Sequence, residues 1–555
     1  MQVFDRQSLS LSGEWGFYVD PMHRGISQEW WKNRREKSYC FPCYDVNSRT
    51  CTVPHNWCSE PDLRYYDGTC LYQKIFDYPY LEEGKRTYIT FGAVNFECSV
   101  YLNGEKVGEH NGGYLEFSVD VTDYIRPTAN DLWLVVDNTR HEGRIPAMIF
   151  DWWNDGGIIR DVVVYSVCEG GIDSYRLTTT LEGDSVMLSV SVVAGDSVTL
   201  EIEGLGVCET FRDSTTITMP RDKVRLYSDV DPHRYIVKLS TIGDSISEMV
   251  GLREVKVEGR EIYLNGEKLF LKGVNVHEDF APLGSAENHE AIDRVIEYCK
   301  QLGVNFIRLA HYPHSRYFMD KAEEAGILME EEIPLYWYVN WDMGIEDKAK
   351  VQYDEMVYRD FNRASVIMWG VGNEMSKDIQ NAPHIENLAK YLRGIDSSRP
   401  VTYVCSSRDK VGENYVPFMT DSMYESLDII ALNTYGGMRD ADPFDNDKHV
   451  DAYAKYGKPI IVTETGAFGL LGVRDGSEID EINQAKFNEI QVSKILSSDY
   501  VRGLSVWVLI DGRTPIYHLN PEPGVYYYGL IQQNGEKKPA FDSLRKIYAD
   551  LSSRR

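Results

Sequence analysis

The sequence predicts three domains in series: an N-terminal β jelly roll over 1–167, an immunoglobulin-like β-sandwich over 168–257 and a C-terminal (β/α)8 TIM barrel over 258–555. Three observations carry this. A chain of 555 residues is too long for one hydrophobic core. Up to about residue 257 it reads as short strands that alternate apolar and polar residues between Gly, Asn and Asp turns. Beyond that point short apolar strands alternate with amphipathic helices, the pattern of a parallel sheet with helical crossovers.

In the first segment "TYITFGAV", "CSVYLNG" and "DLWLVVDN" are strands, and "LNGEKVGEHNGGY" is a hairpin with two glycine-marked turns. In the second, "SVMLSVSVV", "VTLEIEGL" and "HRYIVKLST" continue the strand signal at close spacing, as in a smaller sandwich. The third contains eight buried strands: 270–277, 304–311, 327–334, 366–374, 401–405, 428–435, 459–464 and 503–511. Helical patterns such as "HEAIDRVIEYCKQLG" and "HIENLAKYLRGID" lie between them. A doubly wound sheet would also alternate in this way, but no Gly-rich phosphate loop follows any strand.

A barrel gathers chemistry at the C-terminal ends of its strands. Glu374 ends the fourth strand, directly after Asn373 in "SVIMWGVGNEM", and Glu464 ends the seventh in "KPIIVTETGAFG". His277, His311, Tyr435 and Trp507 lie at or near the ends of the first, second, sixth and eighth. A carboxylate after an apolar run is costly unless water, a partner or a substrate meets it. Two carboxylates facing an aromatic-lined cleft suit the cleavage of a glycosidic bond, which needs a proton for the departing oxygen and a nucleophile or activated water for the anomeric carbon. The acid is expected in apolar surroundings that keep it protonated, and the nucleophile beside a cation that keeps it charged. Arg308, on the second strand, is the candidate cation for Glu464; a structural ion pair within the barrel is the other reading of it.

Bulk composition narrows the partners. Lys plus Arg number 58 against 86 Asp plus Glu, a net charge of −28 that repels phosphate backbones and anionic membranes. Nucleic acid and membranes are therefore not expected as partners, and an oligosaccharide or other glycoside is. The 37 Tyr and 11 Trp suit sugar clefts and sandwich cores alike. "MQVFDRQSLSLSGEW" shows no secretory signal, so a cytoplasmic location is expected. Ten cysteines include the pair in "CFPC" at 40–43, which raises zinc or a disulfide, but no second CxxC follows at suitable spacing and reduced structural thiols are expected. Neither a metal nor an organic cofactor is expected. The oligomeric state stays open, a homo-oligomer included.

At these residues the chain resembles glycoside hydrolase family 2, the group of β-galactosidases, β-glucuronidases and β-mannosidases. "LSLSGEW", "VPHNW", "VYLNGEKVGEHNGGYLEFSVDVT" and "FDWWNDGGIIRDV" are similar to its jelly roll; "LFLKGVNVHED", "NFIRLAHYPHS", "DFNRASVIMWGVGNE" and "KPIIVTETGA" are similar to its barrel. The resemblance implies Glu374 as general acid/base, Asn373 as a donor to the sugar 2-hydroxyl and Glu464 as nucleophile of an anomer-retaining double displacement. It implies Asp151, in "FDWWND", as an aspartate that the jelly roll extends into the sugar pocket. His277 and His311 match sugar-contacting histidines of the β-galactosidase branch, Tyr435 a tyrosine near the nucleophile, and Trp507 the aromatic floor.

The glycone is less determined. Family β-glucuronidases carry an Asn-x-Lys-Gly segment after the eighth strand that grips the glucuronate carboxylate, whereas this chain reads "VYYYG", with Tyr526, Tyr527 and Tyr528 before Gly529. Arg513 or Lys537 are the candidate substitutes for that lysine. "WWNDGGIIRDV" and "GVNVHEDF" lean toward β-galactosidases, although the branch's Glu-x-His metal segment is absent from "EEEIPLYWYVN" and "TETGAFG" lacks its histidine. The expectation is a retaining exo-β-glycosidase acting on β-D-galactosides. The alternatives are a β-glucuronidase, or an enzyme for a galacturonide, an α-L-arabinopyranoside or a modified galactose. A non-catalytic carbohydrate-binding protein would share the fold but would not need both glutamates.

Overall fold

Alternation of apolar and polar side chains sorts the first part of the chain into two sandwiches. The computed structural model describes residues 4–32, 48–375, 378–406, 410–411, 414–437, 444–477, 479–516 and 524–552. Cys40 and Cys43 of "CFPC" and residues 517–523 of the "RTPIYHLNPEPGVYYYG" loop lie outside them. A six-stranded antiparallel sheet runs in the order Ser48–Val53, Gly13–Val19, Thr69–Phe76, Asn130–Asp137, Glu97–Leu102, Glu105–Asn111. It shares one core, with Phe17, Leu134, Ile89 and Val164 fully buried, with a four-stranded sheet of Ser8–Ser10, Val162–Cys168, Lys85–Phe91 and Phe117–Asp120. The "LNGE" hairpin forms as read: Leu102 pairs with Glu105 across Asn103 and Gly104, whose φ values of 54° and 98° are those a two-residue turn of this hand requires.

A second core, around Leu188, Val190, Leu200 and Leu239, joins a three-stranded sheet (Ser174–Glu182, Ser185–Val193, Ser214–Pro220) to a four-stranded one (Val207–Phe211, Val198–Ile202, Tyr235–Ser240, Ser245–Val250).

Eight parallel strands then close into a barrel: β1 Leu271–Val276, β2 Phe306–Leu309, β3 Leu328–Glu332, β4 Val366–Asn373, β5 Val401–Ser406, β6 Ile429–Asn433, β7 Ile460–Glu464 and β8 Val501–Val506, with β8 pairing back to β1. The crossover helices carry the expected signals. In His289–Leu302 the Asn288 side chain caps the first turn, Gly303 ends the helix at φ 74°, and Ile292, Val295, Ile296 and Cys299 face the barrel. Most of the expected strands are trimmed by one or two residues at their ends. The eighth differs more, starting at Val501 and ending at Val506 instead of running over 503–511. The apolar run continues through Val508 and Leu509 because both are buried, but outside the ladder.

β3 departs most from strand propensity, since it ends in three consecutive glutamates, all fully buried. Successive strand residues face opposite sides, so Glu330 and Glu332 point into the barrel while Glu331 points to the helices, where Arg359 Nη2 meets it at 3.0 Å. Each side of the strand thus meets an arginine distant in sequence. Among the described residues no helix is long and apolar enough to cross a membrane.

Candidate active site

The inward charges of β3 organise the barrel floor. Arg308, fully buried on β2, donates from Nη2 to Glu332 Oε1 at 2.6 Å and from Nη1 to Glu464 Oε1 at 2.7 Å; its Nε lies 3.4 Å from Glu330 Oε2. Both sequence readings of Arg308 therefore hold at once, as it is a structural ion pair and the cation beside Glu464. Burial works against its charge, but Glu332, Glu330 and Glu464 together hold the guanidinium above its ordinary value. Burial, with Glu332 alongside, pushes Glu330 well above the carboxylate range, while Arg308 opposes the shift.

Glu464 ends β7 with both oxygens engaged. Oε1 accepts from Arg308, and Oε2 accepts from the Tyr435 hydroxyl at 2.7 Å. Burial pushes this carboxyl up to about 8; Arg308 and Tyr435 oppose the shift, while Glu374 and Asp151 add to it. Glu374 follows β4 with φ 50°, out of strand conformation. Its Oε1 accepts from Asn433 Nδ2 at 2.9 Å and its Oε2 from Trp337 Nε1 at 3.1 Å. Asn373 Oδ1 joins the two halves, accepting from Arg308 Nη2 at 3.1 Å and from Asn433 Nδ2 at 3.2 Å.

The expected division of environments is reversed in one respect. Glu464, with its cation, is the buried carboxyl at 6% exposure, whereas Glu374 is only half-buried and receives two N–H donors. The reason is local: Glu464 still belongs to β7 and to the barrel interior, whereas Glu374 lies one residue past β4 in a left-handed conformation.

Aromatic rings close the remaining walls. Trp507, just past β8, stacks on His311 with ring centroids 5.2 Å apart and meets His277 edge-on at 5.3 Å. His311 Nδ1 lies 2.8 Å from Glu332 Oε1. Burial and Arg308 hold this imidazole neutral; Arg308 Nη2 also lies 3.2 Å from its Nδ1, and its Nε2 faces Glu464 Oε1 at 4.0 Å. His277 is likewise driven neutral by burial; Nδ1 lies 3.3 Å from the Tyr312 hydroxyl and the buried Nε2 has no hydrogen-bond partner.

Asp151 arrives from the jelly roll on the segment between Asn130–Asp137 and Gly157–Ile158. Buried Arg144 pins that loop to itself, donating to Asn138 O at 2.8 Å, Pro146 O at 3.1 Å and Asn154 Oδ1 at 3.1 Å. Trp152, anchored through Nε1 to the Tyr114 hydroxyl at 3.0 Å, then packs on Tyr336 and His311. Burial pushes Asp151 up to about 7, against a hydrogen bond from Tyr336 and with Glu374 adding to the rise; its Oδ1 has no partner. An unpartnered buried imidazole nitrogen and carboxyl oxygen beside one mouth are polar groups that a hydroxylated ligand would satisfy.

All nine sequence-derived residues, Glu374, Glu464, Asp151, His277, Arg308, His311, Asn373, Tyr435 and Trp507, thus meet at one rim. Sequence reasoning missed Asn433, Trp337, Tyr336, Trp152 and Glu332. The strand-end rule that selected Tyr435 would also have reached Asn433 and Glu332, the last residues of β6 and β3. The two candidate substitutes for the absent lysine are committed elsewhere. Arg513 is paired at 2.7 Å with both Asp155 and Asp279, and Lys537 donates to Gln301 on the barrel exterior. Tyr526 and Tyr528 do pack with Trp507, and Tyr435 packs against the same cluster. Among the described residues no group of three or more His, Cys, Asp or Glu side chains is arranged to hold a metal ion. His55, beside the cysteine-rich segment, is engaged by Tyr72 at 2.8 Å and Glu60 at 2.9 Å.

The family model described as "Glycosyl hydrolases family 2, sugar binding domain" matches residues 9–168, and "Glycosyl hydrolases family 2, TIM barrel domain" matches 255–495. A β-glucuronidase of Paenibacillus borealis is 25% identical over 98% of this chain and 95% of its own. A β-galactosidase of Thermoanaerobacter pseudethanolicus is 30% identical over 64% of this chain and 51% of its own. The solved structure of Ruminococcus gnavus β-glucuronidase superposes with a TM-score of 0.89 at 22% identity, over 99% of this chain and 98% of that one. With both family models matched in order, and two glutamates facing one aromatic barrel mouth, the chain belongs to glycoside hydrolase family 2 and is an exo-glycosidase.

Proposed function

We propose that this enzyme removes terminal β-D-glucuronosyl residues with retention of anomeric configuration. One observation carries the choice of glycone: the curated relatives matched along more than nine-tenths of both chains include β-glucuronidases, whereas a β-galactosidase is matched over about half of its own length. It favours the glucuronide over the galactoside toward which "WWNDGGIIRDV" and "GVNVHEDF" lean. In the reaction, one oxygen of Glu464 attacks the anomeric carbon, the bond from that carbon to the leaving oxygen breaks, and Glu374 gives that oxygen its proton. Water then attacks the glycosyl ester, Glu374 takes the proton and Glu464 departs as carboxylate. Arg308 and Tyr435 receive the charge on Glu464 as it forms and leaves, through bonds already in place. Asp151, His277, His311 and Asn373 hold the sugar over Trp507.

The second reading, a neutral β-D-galactoside, is favoured by Tyr526 and Tyr528, neutral groups where a lysine would grip a carboxylate. The test is kcat/KM on nitrophenyl β-D-glucuronide, β-D-galacturonide and β-D-galactoside at one pH. The glucuronide is expected to be the fastest of the three. A galactoside preference would return the assignment to the second reading. Because attack requires ionised Glu464, whose carboxyl is pushed up to about 8, the acid limb of kcat/KM should lie above the ordinary carboxylate range. A plateau reached already at pH 5 would contradict that environment.

A further inference from the structure

Trp337 takes no part in the chemistry above, yet it touches the acid. It follows β3 by five residues and has φ 47°, a left-handed conformation that is strained for a bulky side chain. Two contacts impose it: the Trp337 N–H donates to Asn373 O at 3.1 Å, and its indole stacks on Tyr336 at 4.6 Å. The outcome is that Nε1 lies 3.1 Å from Glu374 Oε2, while Asn433 holds the other oxygen. Strain of this kind persists where surrounding contacts over-determine it, and it concentrates at working sites.

The oxygen that accepts the proton of Glu374 joins the sugar to its aglycone. The first atoms of the aglycone therefore lie beside Glu374 and beside the indole bonded to it. That indole is half-buried, and its neighbours in the chain and on the facing loop include exposed apolar side chains. Tyr338 is 47% exposed, and Met148 and Ile149 are exposed on the loop whose Phe150 belongs to the cluster that Trp337 packs against. Asn340 donates to Glu142 at 2.7 Å, which ties the two loops together.

We propose that Trp337 is the floor of the leaving-group subsite, that this subsite takes a planar aromatic aglycone, and that the indole N–H fixes the acid against it. A second sugar would also stack on an indole, but its hydroxyls need polar partners, and Met148, Ile149 and Tyr338 offer mostly apolar surface. The proposal rests on the glycosidase reading of Glu374 but not on the identity of the glycone.

The test compares wild type, Trp337→Leu and Trp337→Phe on 2-naphthyl and methyl glycosides of one glycone. Trp337→Leu is expected to raise KM at least tenfold for the naphthyl substrate and less than about twofold for the methyl one. Trp337→Phe, which keeps a ring and loses the N–H, should hold the naphthyl KM within about threefold. Both variants should lose kcat on the methyl glycoside, whose leaving group depends most on the acid. Equal KM changes on both substrates, or none on either, would overturn the subsite. Wild type inert on every glycone would instead sink the glycosidase reading. Calorimetric binding of the naphthyl and methyl glycosides, judged by the same tenfold criterion, would then decide the subsite alone.

Discussion

Glu464→Ala is expected to lower turnover by at least about 10³-fold while leaving the fold intact, because it removes covalent catalysis rather than packing. The barrel floor tolerates the loss. Arg308 keeps Glu332 at 2.6 Å and Glu330 at 3.4 Å, so no buried cation is stranded. Azide fits the space vacated by the carboxyl and can attack from the same face. Product analysis should then reveal a glycosyl azide of inverted, α configuration. A variant with near-normal rates, or one that yields β-azide, would remove Glu464 from the nucleophile's role.

Glu374→Gln should separate substrates by leaving group. A dinitrophenolate departs without a proton and should lose little in its first step, whereas an alkyl glycoside should lose about 10²- to 10⁴-fold in kcat/KM. Here azide should accelerate the second step and yield the β-azide, since the glycosyl ester on Glu464 still forms. The amide keeps a polar head between Asn433 and Trp337, so the cluster at the mouth persists. Losses of equal size for both leaving groups would show that Glu374 is not the acid.

What the sequence disclosed depended on how locally each signal is written. The barrel was legible because buried parallel strands are near-continuous apolar runs, and the strand-end rule then turned eight short segments into one ring of candidates. The hairpin at Asn103–Gly104 and the helix from Asn288 to Gly303 were legible for the same reason, as the residues that set them lie within the element. Glu374 and Glu464 were found by position, but their surroundings were not. The burial of Glu464 follows from Arg308 and Tyr435, 156 and 29 residues away in the chain. "LMEEE" reads as an unfavourable strand until Arg308 and Arg359 are seen on its two sides. Trp337 left no periodic trace, because a single left-handed residue in an irregular segment delivers its indole. Arg513, which looked available as a cation, is held between Asp155 and Asp279, a pairing across domains that no local pattern encodes.

The central claim is a double displacement through Glu464, and trapping the intermediate tests it most directly. Wild-type enzyme would be incubated with the 2,4-dinitrophenyl 2-deoxy-2-fluoro-β-glycoside of its preferred glycone, then digested and sequenced by mass spectrometry. The fluorine slows both steps and the good leaving group restores the first, so the glycosyl-enzyme accumulates. One fluoroglycosyl unit per chain is expected, attached to Glu464 in the peptide that contains "VTETGAFG". Label on another residue, or none from an enzyme that turns over the parent glycoside with inversion, would contradict it.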